Sequence, residues 1–169
     1  HTGCLYPMSI LQGEGARMEF TGITFAGAGQ DLDTGAKVVH AAPHTTSHIS
    51  TKSIARDGGV SNFRSSVVVL PNAAGSKSSV SCESLMLDDR SRSDTIPAMD
   101  IRCDAVDVGH EAKIGRISEE AIFYLMSRGM TEEDARALIV GEPIAKELPL
   151  EYAVEMNNLI HLEMKGSIG

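Results

Sequence analysis

The chain has 169 residues, of which 42% are hydrophobic and only 4% aromatic, with no tryptophan. This length fits one domain, or one domain with a small appendage. The formal net charge is −8 and the Lys and Arg residues are scattered, which argues against a nucleic-acid-binding surface. No run of 18 apolar residues occurs, so no transmembrane helix and no membrane partner are expected.

The cysteines indicate a reducing environment. The chain has three cysteines, Cys4, Cys82 and Cys103. An odd number of widely spaced cysteines is not typical of a disulfide framework. A cytoplasmic location is therefore expected, and no signal peptide is visible. The chain begins at His1 rather than at a methionine, so we expect it to be a fragment that lacks an upstream segment.

Residues 1–115 predict a domain of short β-strands. Turn-forming stretches such as GAGQDLDTG and DDRSRSD separate segments with alternating apolar positions. A sandwich remains possible, but we expect a parallel β-helix, because small and β-branched residues stack well on equivalent positions of neighbouring coils. No crisp repeat supports either fold. The predicted strand segments are ARMEFTGITFAG, AKVVHAA, TSHISTKSIA, FRSSVVVLP, SSVSCESLML, PAMDIRC and AVDVGHEAKI.

Residues 116–169 predict a small α-helical domain, because the apolar period changes to that of a helix. We expect Ser118 to cap a first helix that Gly129 ends. Thr131 is expected to cap a second helix, EEDARALIVG, in a capping box with Asp134.

A third helix is expected to open at Pro149 and to run to about Lys165. Its apolar side includes Val154, Leu159 and Leu162.

The stretch VDVGHEAKIG contains His110 and Glu111, as at the start of the zinc-protease motif H-E-x-x-H. Ile114 stands where the second histidine is required, so a hydrolytic zinc site is excluded. Two other stretches fail in the same way. GAGQDLDTGAK lacks the Gly-Lys-Ser/Thr ending of a phosphate loop, and DLDTG has no glutamate at the twelfth position of a calcium loop.

The residues that could bind a soft metal ion form no local zinc or iron–sulfur motif, since no C-x-x-C pair is present. Taken singly, a cysteine such as Cys103 is expected to be a small buried hydrophobe and a strand histidine to be structural. A site built from distant residues could still assemble in the fold. Its candidates are Cys82, Cys103, His40, His44, His48, His110 and Glu111.

Several motifs in order resemble the C-terminal core of the SufB/SufD family, the scaffold proteins of SUF-type iron–sulfur cluster assembly. The resemblance begins at DTGAKVVH, strengthens at SCESLMLDDRSRSDTIPAMDI, and is strongest at GHEAKIGRISEEAIFYLMSRGMTEEDARALIV. It covers essentially the whole chain, although the family's N-terminal helical region is absent from it.

The resemblance implies a right-handed parallel β-helix, residues 1–115, followed by a helical domain, 116–169. It also implies a non-catalytic scaffold that holds a transient, nascent iron–sulfur cluster and binds no nucleotide itself. The implied partners are a SufC-type ATPase docked on helices 118–165, a SufB/SufD-type chain or a second copy bound through the β-helix, and a sulfur donor protein.

The resemblance also supplies a candidate site. Cys82 corresponds to the cysteine of the family's C-D-S stretch, and His110 and Glu111 correspond to a His-Glu pair further on. They are the expected metal and cluster ligands: a thiolate binds iron strongly, whereas imidazole and carboxylate exchange more easily and suit a scaffold that releases its cluster.

Some features depart from the family pattern. Ser9 stands where SufB-type proteins often have a cysteine that accepts sulfur, which puts that entry route in doubt, and Phe63-Arg64-Ser65 replaces Y-R-G. HEA is SufB-like and KIGRI is closer to SufD, so an undivided, homodimeric form is our hypothesis.

Two alternatives remain. One is a purely structural interaction module. The other is a β-helical enzyme that acts on a carbohydrate or acyl group through Asp88, Asp89, Asp94 and Asp100.

Overall fold

A computed structural model describes residues 2–145 and 148–164. The chain divides into two compact units, His1–Gly115 and Arg116–Gly169. The first consists of β-strands and the second of helices.

The first unit is a parallel β-solenoid, which confirms the predicted fold class. Successive strands alternate between two sheets: β4, β6 and β8 follow β1 and β2 in the first sheet, and β3, β5, β7 and β9 make up the second. Every strand pair with an assigned register is parallel. The strands are β1 Thr2–Leu5, β2 Met8–Leu11, β3 Arg17–Ala26, β4 Asp31–His40, β5 Thr46–Ala55, β6 Val60–Val69, β7 Lys77–Met86, β8 Arg92–Ile101 and β9 Asp107–Arg116.

Alternate side chains point between the two sheets, as strand geometry requires. In β7 the residues Ser78, Val80, Cys82 and Ser84 are buried, and the residues between them are exposed or half-buried. Equivalent interior positions stack from coil to coil, with Thr51 beside Cys82 and Phe63 beside Thr95. The interior core is built mainly from small and branched residues, among them Val38, Ile49, Val67 and Val80, together with the aromatic Phe63.

A buried polar network closes one side of the interior. His40 is fully buried, its Nδ1 lies 2.7 Å from Thr45 Oγ1 and its Nε2 lies 2.9 Å from Ser47 Oγ. Ser47 donates to Ser78 one coil later, over 2.8 Å. Because both ring nitrogens have partners, the histidine is accommodated as a structural residue. Burial lowers its pKa.

The structure corrects several predicted strand boundaries. β5 matches the predicted segment, but β4 begins at Asp31 and β8 at Arg92, inside stretches that looked like turns. Polar residues fit these strands because alternate positions face solvent: Asp33, for example, forms an ion pair with Arg64 on the next coil, over 2.9 Å. The short strands β1 and β2 were not predicted.

The second unit has three helices: α1 Glu119–Ser127, α2 Glu132–Ala145 and α3 Leu150–Met164. The Ser118 side chain accepts a hydrogen bond from Ala121 N, as predicted for its cap. Gly129 has a φ of 95° and ends α1, because this left-handed conformation suits glycine. Thr131 Oγ1 accepts from Asp134 N over 3.1 Å, which confirms the second cap.

Two helix predictions were wrong in detail. α2 does not stop at Gly141, where a Cβ atom would come within 2.6 Å of Asn157 Oδ1; the glycine allows α2 and α3 to approach closely. α3 buries Ala153 and Ile160, whereas the predicted apolar side is exposed. That exposed side contains Val154, Leu159 and Leu162. Lys165, the expected end of α3, lies outside the described residues.

None of the helices over the described residues is long and apolar enough to cross a membrane.

Candidate functional site

Cys82 lies on the interior face of β7 and is only 3% exposed. It is in register with Thr51 on β5, and the Thr51 side chain hydrogen-bonds to it. Burial raises the pKa of the Cys82 thiol, and the bond from Thr51 opposes that shift. The thiol is therefore neutral near pH 7, and a bound metal ion would have to displace its proton.

His110 lies on β9, the neighbouring and last strand of the second sheet. Asp107 N donates to Ser76 O over 3.1 Å, just as Lys77 N donates to Thr45 O over 2.9 Å one coil earlier. This bond aligns Lys77 with Asp107, so His110 lies beside Val80 and Ala112 lies beside Cys82. The imidazole consequently shares the interior face with the Cys82 thiol.

The imidazole of His110 has an unsatisfied polar atom. Its Nε2 is buried and has no hydrogen-bond partner among the described residues. A buried polar group normally has a partner, because an unmade hydrogen bond costs about 1–3 kcal/mol. A buried nitrogen without a partner is a good candidate to bind a metal ion. Beside Cys82, the small Ala112 side chain contributes only a methyl group, which leaves space next to the thiol.

Glu111 points the other way. Adjacent residues in a strand face opposite sides of the sheet, so Glu111 is exposed on the outer face, where its Oε1 lies 3.2 Å from Lys113 Nζ. Within one chain, the fold brings Cys82 and His110 to a common interior but does not bring Glu111 to them. The assignment of Glu111 as a ligand stays a prediction that needs a second chain or another arrangement of this strand.

The other sequence candidates occupy separate places. His40 belongs to the buried network described above, and exposed His48 pairs through Nδ1 with Ser79 Oγ over 2.7 Å. Exposed His44 packs against Gly75, and half-buried Cys103 packs against the core cluster. No three His, Cys, Asp or Glu side chains in the described part of the chain are grouped to hold a metal ion on their own.

The aspartates of the enzyme alternative do not converge either. Asp88 accepts from Arg90 N and Ser91 N, both over 2.8 Å, and so holds a turn. Asp94 and Asp100 lie six residues apart on β8 and each is close to an arginine, Arg92 and Arg102 respectively. In the described part of the chain these aspartates form no cluster that would favour a hydrolytic or acyl-transfer site.

Comparison with known proteins decides the family. Residues 2–142 match the family described as SUF system FeS cluster assembly, SufBD core domain. The chain belongs to the SufBD family. This confirms the resemblance found in the sequence.

Individual relatives of the SufBD chain are similar over nearly its full length. It is 52% identical to an iron–sulfur cluster assembly SufBD family protein of Mycobacterium tuberculosis, over 97% of this chain and 20% of that protein. It is 51% identical to the iron–sulfur cluster assembly protein SufB of Bacillus subtilis, over 97% of this chain and 36% of that protein. The chain thus spans about a fifth to about a third of these relatives.

The sequence analysis did not predict the interior placement of some residues of this SufBD chain. Two hydroxyl oxygens, Ser65 Oγ and Thr95 Oγ1, are buried without a partner among the described residues, like His110 Nε2. Ser9, where the resemblance implied a sulfur-accepting cysteine, also faces inward, since it pairs with buried Val38. The signal for all of them is long-range register, which no local pattern reveals.

Proposed function

We propose that this chain is a non-catalytic scaffold segment for iron–sulfur cluster assembly, with Cys82 and His110 as ligands of the nascent cluster. The single observation that carries the proposal is the interior shared by the Cys82 thiol and the unpartnered His110 Nε2. The iron and sulfide are cargo in this account. The names of the relatives, which are cluster assembly proteins, support the same function.

The ligand set suits cargo that must leave. A thiolate supplies one strong bond to iron, and an imidazole supplies a weaker, more exchangeable one. The remaining iron sites would be filled from outside this interior, by Glu111 or by a second chain. Because Ser9 has no thiol, we propose that sulfur from a donor protein does not enter through the β2 position.

A partner chain has a suitable surface at the same end of the solenoid. The sheets end with β8 and β9, whose outer edges carry backbone donors and acceptors able to pair with another strand. Large apolar side chains are exposed on these two strands, as expected for an interface. They are Ile96, Met99, Ile101 and Ile114. We propose that a second SufBD chain, identical or related, docks here and completes the site.

The helical unit offers a second surface, which we propose binds a SufC-type ATPase. Phe123 on α1 is 74% exposed, and the exposed apolar side of α3 is opposite the face that packs on α2. Phe123→Glu and Leu159→Glu should abolish co-purification with the ATPase, whereas Glu133→Ala, at an exposed position in the first turn of α2, should not. Retained binding by both charged variants would place the docking surface elsewhere.

Anaerobic reconstitution with iron and sulfide tests the scaffold function. The parent chain should develop visible absorption from a bound cluster, and Cys82→Ala should abolish or sharply weaken it. Cys103→Ala is the matched control, because it removes a half-buried thiol that is not part of the proposed site and should load normally. If Cys82→Ala binds iron and sulfide as well as the parent does, the site assignment is wrong.

A further inference from the structure

The Thr95 hydroxyl is an unexplained feature of the solenoid interior. Its Oγ1 is buried and has no hydrogen-bond partner among the described residues. A threonine hydroxyl can usually rotate to find a partner, so its isolation here is informative. Thr95 is in register with buried Phe63, which places its side chain on the interior face of the first sheet.

Two contacts show what Thr95 faces. Ser93 Oγ donates to Ser84 Oγ over 2.9 Å, which fixes how β8 lies across from β7. Thr95 lies two residues after Ser93 on β8, and Cys82 lies two residues before Ser84 on β7. Each points to the same side of its strand as the neighbouring serine, so the two lie next to the Ser93–Ser84 contact.

The strands of the preceding coil, β5 and β6, face each other in the same way. Thr51 precedes Cys82 in the second sheet and Phe63 precedes Thr95 in the first, and both line one cavity of about 240 Å³. The two columns of side chains therefore face each other along the solenoid. Thr95 faces Cys82 across the interior, and His110 lies on the strand that follows the Cys82 strand in the second sheet.

We propose that Thr95 is a positioning residue for the sulfur side of the cluster: its hydroxyl donates a hydrogen bond to the Cys82 thiolate or to a cluster sulfide when cargo is bound. This inference rests on the proposed function. The chemistry fits, because a thiolate or sulfide carries negative charge, and a hydroxyl is a donor that does not compete for iron as strongly as a thiolate. Hydrogen bonds to cluster sulfurs are a recognised means of tuning the cluster.

Three variants test the role of Thr95. Thr95→Val keeps the shape and strand preference of the side chain but removes the donor, and Thr95→Ser restores the donor. Thr34→Val is the matched control, because Thr34 occupies the same column two coils away and already bonds weakly to Asn62 O, at 3.4 Å. Each protein is reconstituted anaerobically with iron and sulfide, and transfer of iron to a chelator is then timed.

We expect Thr95→Val to load iron and sulfide but to release them about tenfold faster than the parent, as loss of one charge-assisted hydrogen bond implies. Its sulfur-to-iron charge-transfer bands should shift, and Thr95→Ser and Thr34→Val should match the parent. If the parent loads and Thr95→Val has the same bands and release rate, the inference is overturned alone. A parent that does not load overturns the proposed function and this inference together.

Discussion

Thr51 and Cys82 lie side by side on neighbouring coils of the solenoid interior, and the Thr51 side chain hydrogen-bonds to the Cys82 thiol. Two opposing effects act on the pKa of the Cys82 thiol. Burial raises the pKa of the thiol, and the hydroxyl favours its thiolate. The pKa of the Cys82 thiol is thus set by two identifiable causes that can be changed separately.

Metal loading at Cys82 should strengthen as the pH rises. Because the thiol pKa is raised, a metal ion must displace a proton, and affinity should increase about tenfold per pH unit until the thiol ionises unaided. Cobalt(II) is a convenient probe, since its thiolate charge-transfer band reports the bond directly. Loading that stays constant from about pH 7 to about pH 9 would show that no buried thiol is involved.

Thr51→Val should shift that loading curve to higher pH. The variant removes the hydroxyl that favours the thiolate, and loss of a hydrogen bond to a charged group corresponds to about one pH unit. Thr21→Val provides the control, because Thr21 is an exposed residue of the same sheet. A Thr51→Val curve that overlays the parent curve would remove Thr51 from the account of Cys82.

The His40 network should make the solenoid less stable in mild acid. Burial lowers the His40 pKa, so the unfolded chain takes up this proton at a higher pH than the folded chain does. The stability contributed by neutral His40 is therefore present above the unfolded value, about 6.5, and is lost as the pH falls towards the lower folded value.

Denaturant unfolding at several pH values checks this expectation. His40→Gln should flatten the pH dependence, whereas His48→Gln, which changes an exposed histidine, should leave it in place. If the His40→Gln profile kept the full slope of the parent, the acid sensitivity would come from other groups.

Gly59 should be intolerant of a side chain. A Cβ atom there would come within 2.3 Å of Ala26 O and 2.6 Å of Ala26 C, and the backbone cannot yield cheaply. Gly59→Ala should lower the free energy of unfolding by about 1–3 kcal/mol. Gly13→Ala has open space around its Cβ atom and should stay within about 0.5 kcal/mol of the parent.

Local sequence patterns predicted the strand boundaries better in the middle of the solenoid than at its ends. β5 lies between two other strands of its sheet and is buried along most of its length, and its predicted segment was correct. β8 is the last strand of its sheet and its first residues are charged and partly exposed, so they looked like a turn. The lack of a crisp repeat also has a physical cause. Register partners lie 29 residues apart from Arg17 to Thr46 and 31 apart from Thr46 to Lys77, so no fixed period exists.

The site was less accessible to sequence reasoning than the fold was. His110 and Glu111 are adjacent in the chain and appeared to act together, but strand geometry turns them to opposite faces. Thr51 and Thr95 approach Cys82 only through register between strands and the facing of two sheets. Family resemblance supplied Cys82 and His110, and it could not show which neighbours tune them.

The most direct measurement of the central claim is iron K-edge X-ray absorption of the anaerobically reconstituted chain, compared with Cys82→Ala and His110→Ala. We predict a mixed shell of sulfur and a lighter atom in the parent, a loss of nitrogen scattering in His110→Ala, and little bound iron in Cys82→Ala. An identical iron environment in all three proteins would contradict the assignment of Cys82 and His110 as ligands of the nascent cluster.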